Sequence, residues 1–360
     1  MRRGGQGLKR GRGNSPGLQE SKRGRKGWWV LSVQVISLGL GARGRHWVQW
    51  ARSAGAEVVA VVDVHEPTLH EVGERLGFAP AQRFTSLADA VRATGCRVVI
   101  ACAPNHVHEA IVADCLRLGC SVLIEKPFTE DLASAKRLTE EAAQKGLHVV
   151  IAQQYRYGPA FGRMRELVRE RLGAPTGGLV EFYRWRPTQG MKLPLLLNQA
   201  VHQFDCIRYV MDADPVSCRA ELWNPGWNPC DGPTVAEATF RFASGARIHF
   251  SGSYVARGRV TNYNGLWRIE GERGQVTYDG DERVEFRAGS EVEVFTEKSP
   301  SDAYRQVALC RDFLAAVLGG PPAPTRAEDN LKTLAMVFMI EASSRLGREV
   351  TLDEVLDGKL

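Results

Sequence analysis

The sequence predicts an α/β domain built on a parallel sheet, followed by an α+β domain with an open antiparallel sheet and flanking helices. Three observations carry this. Short apolar runs rich in β-branched residues alternate with helix-compatible stretches between residues 33 and 152, the signature of strands buried on both faces. From about Gly178 the pattern becomes an alternation of apolar and polar residues, as in half-buried antiparallel strands. A chain of 360 residues has room for about two cores at roughly 150 residues per domain.

The elements follow in order. Strands are predicted at 33–38, 57–63, 97–103, 121–125 and 148–152. Between them lie helices from the glycine-rich turn to about Ala54, from Pro67 to Leu76, Leu87 to Ala93, Val107 to Leu118 and Leu132 to Gln144. Pro67 suits a first helical turn, and Gly119 and Gly146 suit helix ends. In the second half, Ala236, Ala238, Phe240 and Phe242 share one face, and Ala246, Ile248 and Phe250 repeat the pattern after Ser244-Gly245, predicting a hairpin. Further strands are expected at 179–185, 216–222, 266–270, 275–278 and 284–286. Two helices close the chain: one with Val307, Cys310, Phe313, Leu314 and Val317 on one face, and one over about 327–346 that is apolar almost all round and therefore buried.

Charge and cysteine usage bound the function. The formal charge is +6, but the first 30 residues hold nine basic residues and one acid, which leaves −2 on the remainder. Residues 1–31 read as a disordered basic extension; the near-neutral body gives no reason to expect a nucleic-acid surface. No apolar run approaches the ~20 residues of a membrane span. None of the eight cysteines forms a Cys-x-x-Cys pair, so no metal site is expected. Reduced thiols in a cytoplasm are the default.

Gly39-Leu-Gly-Ala-Arg-Gly44 follows the first strand and opens a helix. The three glycines suit a tight turn, a close approach of backbone to pyrophosphate, and close helix–strand packing. Asp63 ends the second strand, 19 residues past Gly44, where an acid binds ribose hydroxyls. This predicts a Rossmann domain over 32–154, with a substrate and oligomerisation domain over 155–360 whose closing helices can pack back on the first. The expected cofactor contacts are Gly39, Leu40, Gly41, Ala42, Arg43, Gly44, Asp63 and Val64. Asp63 repels a 2′-phosphate, favouring NAD over NADP, although Arg43 and Arg45 could tolerate one. Two more strand ends lie on the same sheet edge: Ala103-Pro-Asn105-His106-Val-His108 and Glu125-Lys126-Pro127. Ligands bind outside the carboxyl ends of such strands, so Ala103, Asn105, His108, Glu125 and Lys126 project towards the nicotinamide end.

These motifs, with Tyr155-Arg-Tyr-Gly-Pro159, resemble the Gfo/Idh/MocA family of oxidoreductases from about residue 33 onwards. The resemblance implies reversible oxidation of a secondary alcohol on a sugar-like or cyclitol substrate. It places Asn198 and His202 beside Lys126, with Asn198 where the family commonly has Asp. Asn cannot take a proton, which moves the general-base role to His202; Lys126 would hold the reacting oxygen and can relay the proton. Gln154 sits where the family often has a cofactor-side Asn. Arg156 is a candidate for substrate oxygens, with a structural ion pair as the equal alternative. Trp185, Trp223, Trp227 and Trp267 are candidates to stack on a sugar ring. A homodimer or homotetramer through the C-terminal sheet is implied. Two other readings stay open: an enzyme acting on an imine, enone or dihydrodiol, and a non-catalytic NAD-binding regulator.

Overall fold

The computed structural model describes residues 32–187 and 189–360; the expected basic extension lies outside them. The first half carries β1 (Gln34–Leu38), α1 (Gly44–Ala54), β2 (Glu57–Val62), α2 (Glu66–Arg75), β3 (Arg83–Phe84), α3 (Leu87–Thr94), β4 (Val98–Ala101), α4 (His108–Arg117), β5 (Ser121–Ile124), α5 (Leu132–Lys145) and β6 (Val149–Ile151). The strands form one parallel sheet in the order β3-β2-β1-β4-β5-β6. The order reverses between β1 and β4, and that is the crevice where open α/β sheets bind ligands. Strands β4, β5 and β6 are buried at every residue, which is why they read as continuous apolar runs. Local chemistry sets the helix ends: the Asp131 side chain caps α5 by accepting from the Ser134 N–H at 2.7 Å, and left-handed Gly55, Gly95 and Gly146 stop α1, α3 and α5.

The second half carries α6 (Pro159–Glu170), β7 (Pro175–Tyr183), α7 (Val201–Met211), β8 (Pro215–Trp223), β9 (Val235–Phe242), β10 (Arg247–Ser253), β11 (Leu266–Gly271), β12 (Gly274–Tyr278), β13 (Arg283–Ala288), β14 (Glu291–Thr296), α8 (Tyr304–Val317), α9 (Ala327–Leu346), β15 (Val350–Thr351) and α10 (Leu352–Leu356). Its nine-stranded sheet runs β14-β13-β12-β11-β7-β10-β9-β8-β15. The sheet is antiparallel, as expected, except that β7 and β10 pair in parallel. One face is core, with Phe240, Phe250 and Ile248 fully buried; the other presents Arg219, Glu237, Arg241 and Arg247 to water.

The two halves are stitched together. The Ile151 N–H donates to the Thr325 carbonyl at 2.9 Å, so the segment before α9 lies along β6. Helix α8 packs on α1, and α9 on α5 and α7. No helix among the described residues is long and apolar enough to cross a membrane.

Candidate active site

A cleft of about 430 Å³ opens at the carboxyl ends of β1, β4 and β5 and is closed from the other side by residues of the second half. The glycine turn meets it through Arg43. Gly39 has φ of +84°, and a Cβ there would lie 1.9 Å from the Cys102 carbonyl oxygen. A Cβ on Gly44 would lie 2.0 Å from the Gly39 carbonyl oxygen. These two glycines let strand, turn and helix pack in contact. Gly41 differs: a Cβ there meets nothing within 4 Å. Its open space faces the start of α1, where unpaired N–H groups favour anions. The Asp63 carboxylate fixes the turn by accepting from the Leu40 N–H at 2.7 Å. Leu40 itself is buried, Ala42 is exposed, and Val64 is 86% exposed at the end of β2.

Strand ends β4 and β5 supply the next wall. Ala103, Asn105, Glu125 and Lys126 line the cleft. Glu125 is buried and held from below: the Trp47 indole donates to it at 2.9 Å and Arg43 makes an ion pair with it. Gln154, with its amide turned to accept from Arg43 at 3.0 Å, completes this cluster. His108 is not in the wall. It is fully buried behind it, with Nδ1 2.7 Å from the Pro127 carbonyl and Nε2 3.0 Å from the Ala103 carbonyl. This corrects the expectation that it faces the crevice: the ring is wedged between the two strand ends that carry Asn105 and Lys126, and its one N–H can donate to either carbonyl.

Facing Lys126 is the segment before α7. Residues Leu196–Ala200 form a single π-helical turn, a local widening that is common at functional sites. Lys126 Nζ donates to the main-chain carbonyl of Asn198 within it, and to Asn198 Oδ1 at 3.2 Å. Removal from water, with the charges of Arg43 and Arg186 and against the opposing pull of Glu125, lowers the Lys126 pKa to about 8. His202, one turn on, is buried and stacks flat on Tyr155, with centroids 4.1 Å apart and planes 3° apart. Its Nδ1 has no hydrogen-bond partner among the described residues. Burial, reinforced by the charges of Lys126, Arg43 and Arg305, holds the imidazole well below its ordinary pKa, so the ring is neutral at working pH.

The two halves of the chain match two models of one family: residues 33–153 match the model described as "Oxidoreductase family, NAD-binding Rossmann fold", and residues 161–277 the "GFO/IDH/MocA C-terminal domain". The chain belongs to the Gfo/Idh/MocA oxidoreductase family. An uncharacterised protein of Sinorhizobium fredii is 28% identical over 91% of this chain and 97% of its own length. A D-apiose dehydrogenase of Paraburkholderia graminis is 23% identical over 88% of each. Among solved structures, an oxidoreductase from Agrobacterium radiobacter in complex with NAD+, L-tartaric acid and magnesium superposes with a TM-score of 0.81 at 19% identity, covering 90% of this chain and 99% of that one. The N-terminal domain of this family member is thus an NAD-binding Rossmann domain.

Other expected contacts are redistributed. Arg156 does not reach the cleft: its Nε donates to Asp205 at 2.7 Å, and it bonds Asp329 at 3.1 Å and the Pro324 carbonyl. It is the structural ion pair of the two options. The tryptophans do not line the cleft either. Trp267 is buried against Phe161, while Trp185, Trp223 and Trp227 are exposed elsewhere. Tyr155, Arg186, Gln199 and Tyr263 line the cleft, and no role was expected of them. Tyr155 lay in a quoted motif; Arg186 and Tyr263 carry no local signal, because each follows or precedes a strand whose neighbours are far away in sequence.

Proposed function

We propose that this chain is an NAD-dependent dehydrogenase that oxidises a secondary alcohol of a polyhydroxylated, sugar-like small molecule. The observation that carries this is the Lys126 amine, fixed by two oxygens of Asn198, with its pKa lowered to about 8, in a cleft continuous with the glycine turn. The cofactor fits the residues present: among the described residues a Cβ at Gly41 meets nothing within 4 Å, which leaves open space beside the turn for a pyrophosphate. Gly39–Gly44 would hold the phosphates, Asp63 the ribose hydroxyls, and Asn105, Glu125 and Gln154 the nicotinamide end. Asp63 disfavours a 2′-phosphate by charge, which supports NAD over NADP. Bound NAD supplies the hydride acceptor.

The protein's part is proton chemistry and orientation. An ammonium has three donors; two of those on Lys126 are spent on Asn198, leaving one for the reacting oxygen. As the amine, Lys126 takes the hydroxyl proton. A pKa near 8 suits that exchange. His202, neutral and braced by Tyr155, hydrogen-bonds the same oxygen rather than acting as the base, because burial and the neighbouring cations disfavour its protonated form. The D-apiose dehydrogenase relative supports the substrate class.

The test is a screen of alditols, aldoses, sugar acids and inositols with NAD, read as reduced cofactor at 340 nm. Turnover of a polyhydroxylated compound is expected. Tight NAD binding with no turnover across the screen would refute the reading.

A further inference from the structure

Two uncharged side chains in the cleft wall, Tyr155 and Gln199, are tied to one another. Gln199 Nε2 donates to the Tyr263 main-chain carbonyl at 3.0 Å and to the Tyr155 hydroxyl at 3.2 Å. A carbonyl only accepts, so the first contact fixes which end of the amide is the nitrogen. Both N–H bonds of that nitrogen are then spent, and no donor among the described residues reaches Gln199 Oε1. The Tyr155 oxygen accepts from Gln199, so its own O–H points elsewhere, and no acceptor among the described residues takes that proton. The Tyr263 carbonyl cannot, because Gln203 Nε2 at 2.8 Å fills its second lone pair. The pair is left with one donor and one acceptor to offer.

Both belong to the cleft. Tyr155 also borders a second, polar cavity of about 340 Å³ on its far side, but Gln199 lines the cleft and not that cavity. The hydroxyl is the end of Tyr155 that meets Gln199. The ring is held in place by its stack on His202 and by the Arg305 guanidinium, 5.5 Å from its centroid.

The pair also sits next to the chemistry. Consecutive helical residues do not normally share a face, yet Asn198 and Gln199, neighbours in the π-helical turn, both line the cleft. Asn198 holds Lys126 and Gln199 holds Tyr155, with their Cα atoms about 3.8 Å apart. His202 lies at 4.1 Å, ring on ring, from Tyr155. That proximity is on the scale of substituents on adjacent carbons.

Resting on the dehydrogenase reading above, we infer that Tyr155 and Gln199 read the hydroxyl on the carbon next to the reacting one, so that the substrate is a vicinal diol. The Tyr155 O–H donates to that hydroxyl's oxygen, and Gln199 Oε1 accepts its proton. A hydroxyl is donor and acceptor at once and satisfies both groups. An ether satisfies only Tyr155. A bare methylene satisfies neither and leaves two polar groups stranded when the cleft is filled.

The experiment removes the hydroxyl from the substrate and from the protein. The probes are myo-inositol and its monodeoxy analogues, D-glucose and its 2- and 3-deoxy analogues, and cis- and trans-cyclohexane-1,2-diol against cyclohexanol. Initial rates with NAD are measured for wild type, Tyr155→Phe, which keeps an aromatic ring on His202, and Gln199→Met. Binding of the same probes to NAD-loaded enzyme is followed by calorimetry, and folding by Tm. In the wild type, loss of the flanking hydroxyl should lower kcat/KM about 10- to 100-fold. Tyr155→Phe should lower kcat/KM for the parent diol by a similar factor. Removing both should cost little more than removing either, because the two changes delete one contact. Gln199→Met should show the same coupling and carries the test if Tyr155→Phe fails to fold. Losses that multiply independently, or deoxy analogues handled as well as their parents at every flanking carbon, overturn the inference and leave the dehydrogenase intact. Absence of both binding and turnover for every diol also overturns it. Coupled losses seen in binding, with no turnover of any probe, uphold the hydroxyl reader and sink the dehydrogenase reading instead.

Discussion

Replacing Asn198 with aspartate sets a carboxylate against the Lys126 ammonium. Asn198 Oδ1 lies 3.2 Å from Lys126 Nζ, and an aspartate oxygen in the same rotamer occupies the same place. At an effective dielectric constant of about 20, unit charges about 4 Å apart attract by about 4 kcal/mol. About 1.4 kcal/mol moves a pKa by one. Desolvating the new carboxylate takes part of this back, which leaves a rise of about 1–3 for Lys126. In the wild type, Lys126 titrates at about 8, so its amine form grows as pH rises through that value and alcohol oxidation rises with it. In Asn198→Asp the ammonium survives to higher pH, and the rising limb moves to about pH 9–11. At pH 7.5, kcat/KM falls roughly tenfold or more. The assay is the initial rate of NADH formation from pH 6 to 10.5. A midpoint that stays near 8, or moves down, would mean that the proton leaves through a group other than Lys126.

Two glycines that look alike in the sequence should behave differently. Gly39→Ala forces a Cβ against the Cys102 carbonyl at positive φ and should destabilise the fold by about 1–3 kcal/mol, read as a fall in Tm; Gly41→Ala should keep the wild-type Tm and weaken NAD about tenfold, by about 1.4 kcal/mol. Arg156→Met strands the buried Asp205 carboxylate and should cost about 3–5 kcal/mol in urea unfolding, with much of the loss recovered in Arg156→Met/Asp205→Leu. His108→Gln removes the buried ring wedged between the Ala103 and Pro127 carbonyls; kcat should fall roughly 10- to 100-fold through displacement of Lys126 while NAD affinity, measured by fluorescence quenching, changes far less.

Much of the fold was legible because its driving forces are local. Strands β4 to β6 are buried on both faces and so appear as unbroken apolar runs, bounded by residues that stop helices. Helix α6 was not foreseen although Phe161, Met164, Leu167 and Val168 mark a buried face; two strands that were missed lack such a signal. Strand β3 has two residues. Strand β14 is a sheet edge whose Glu-Val-Glu-Val sequence is largely exposed, so its alternation marks no buried face. Alternation also says which face of a strand is buried but not which neighbour it takes, and for that reason the parallel β7–β10 pairing was invisible.

The site divides in the same way. The glycine turn, Glu125 and Lys126 were readable because each stands at a fixed offset from a strand end; Asn198 and His202 were readable only through the resemblance to the family. Roles that depend on burial were not. His202 looks like a base as a residue type, yet burial and three nearby cations disfavour its taking up a proton. Arg156 looks like a free cation, yet Asp205 and Asp329 converge on it from α7 and α9. Arg186 and Tyr263 meet only because the strands beside them lie next to one another in the sheet.

The most direct measurement is single-turnover oxidation by Lys126→Met, with NAD affinity determined separately on the same protein. A drop of about 10²-fold or more in the rate, with the NAD Kd essentially that of the wild type, is the result expected if an amine of lowered pKa receives the substrate proton. A variant that keeps its rate, or one whose rate falls only in step with weaker NAD binding, contradicts that role and leaves Lys126 as part of the cofactor's seat.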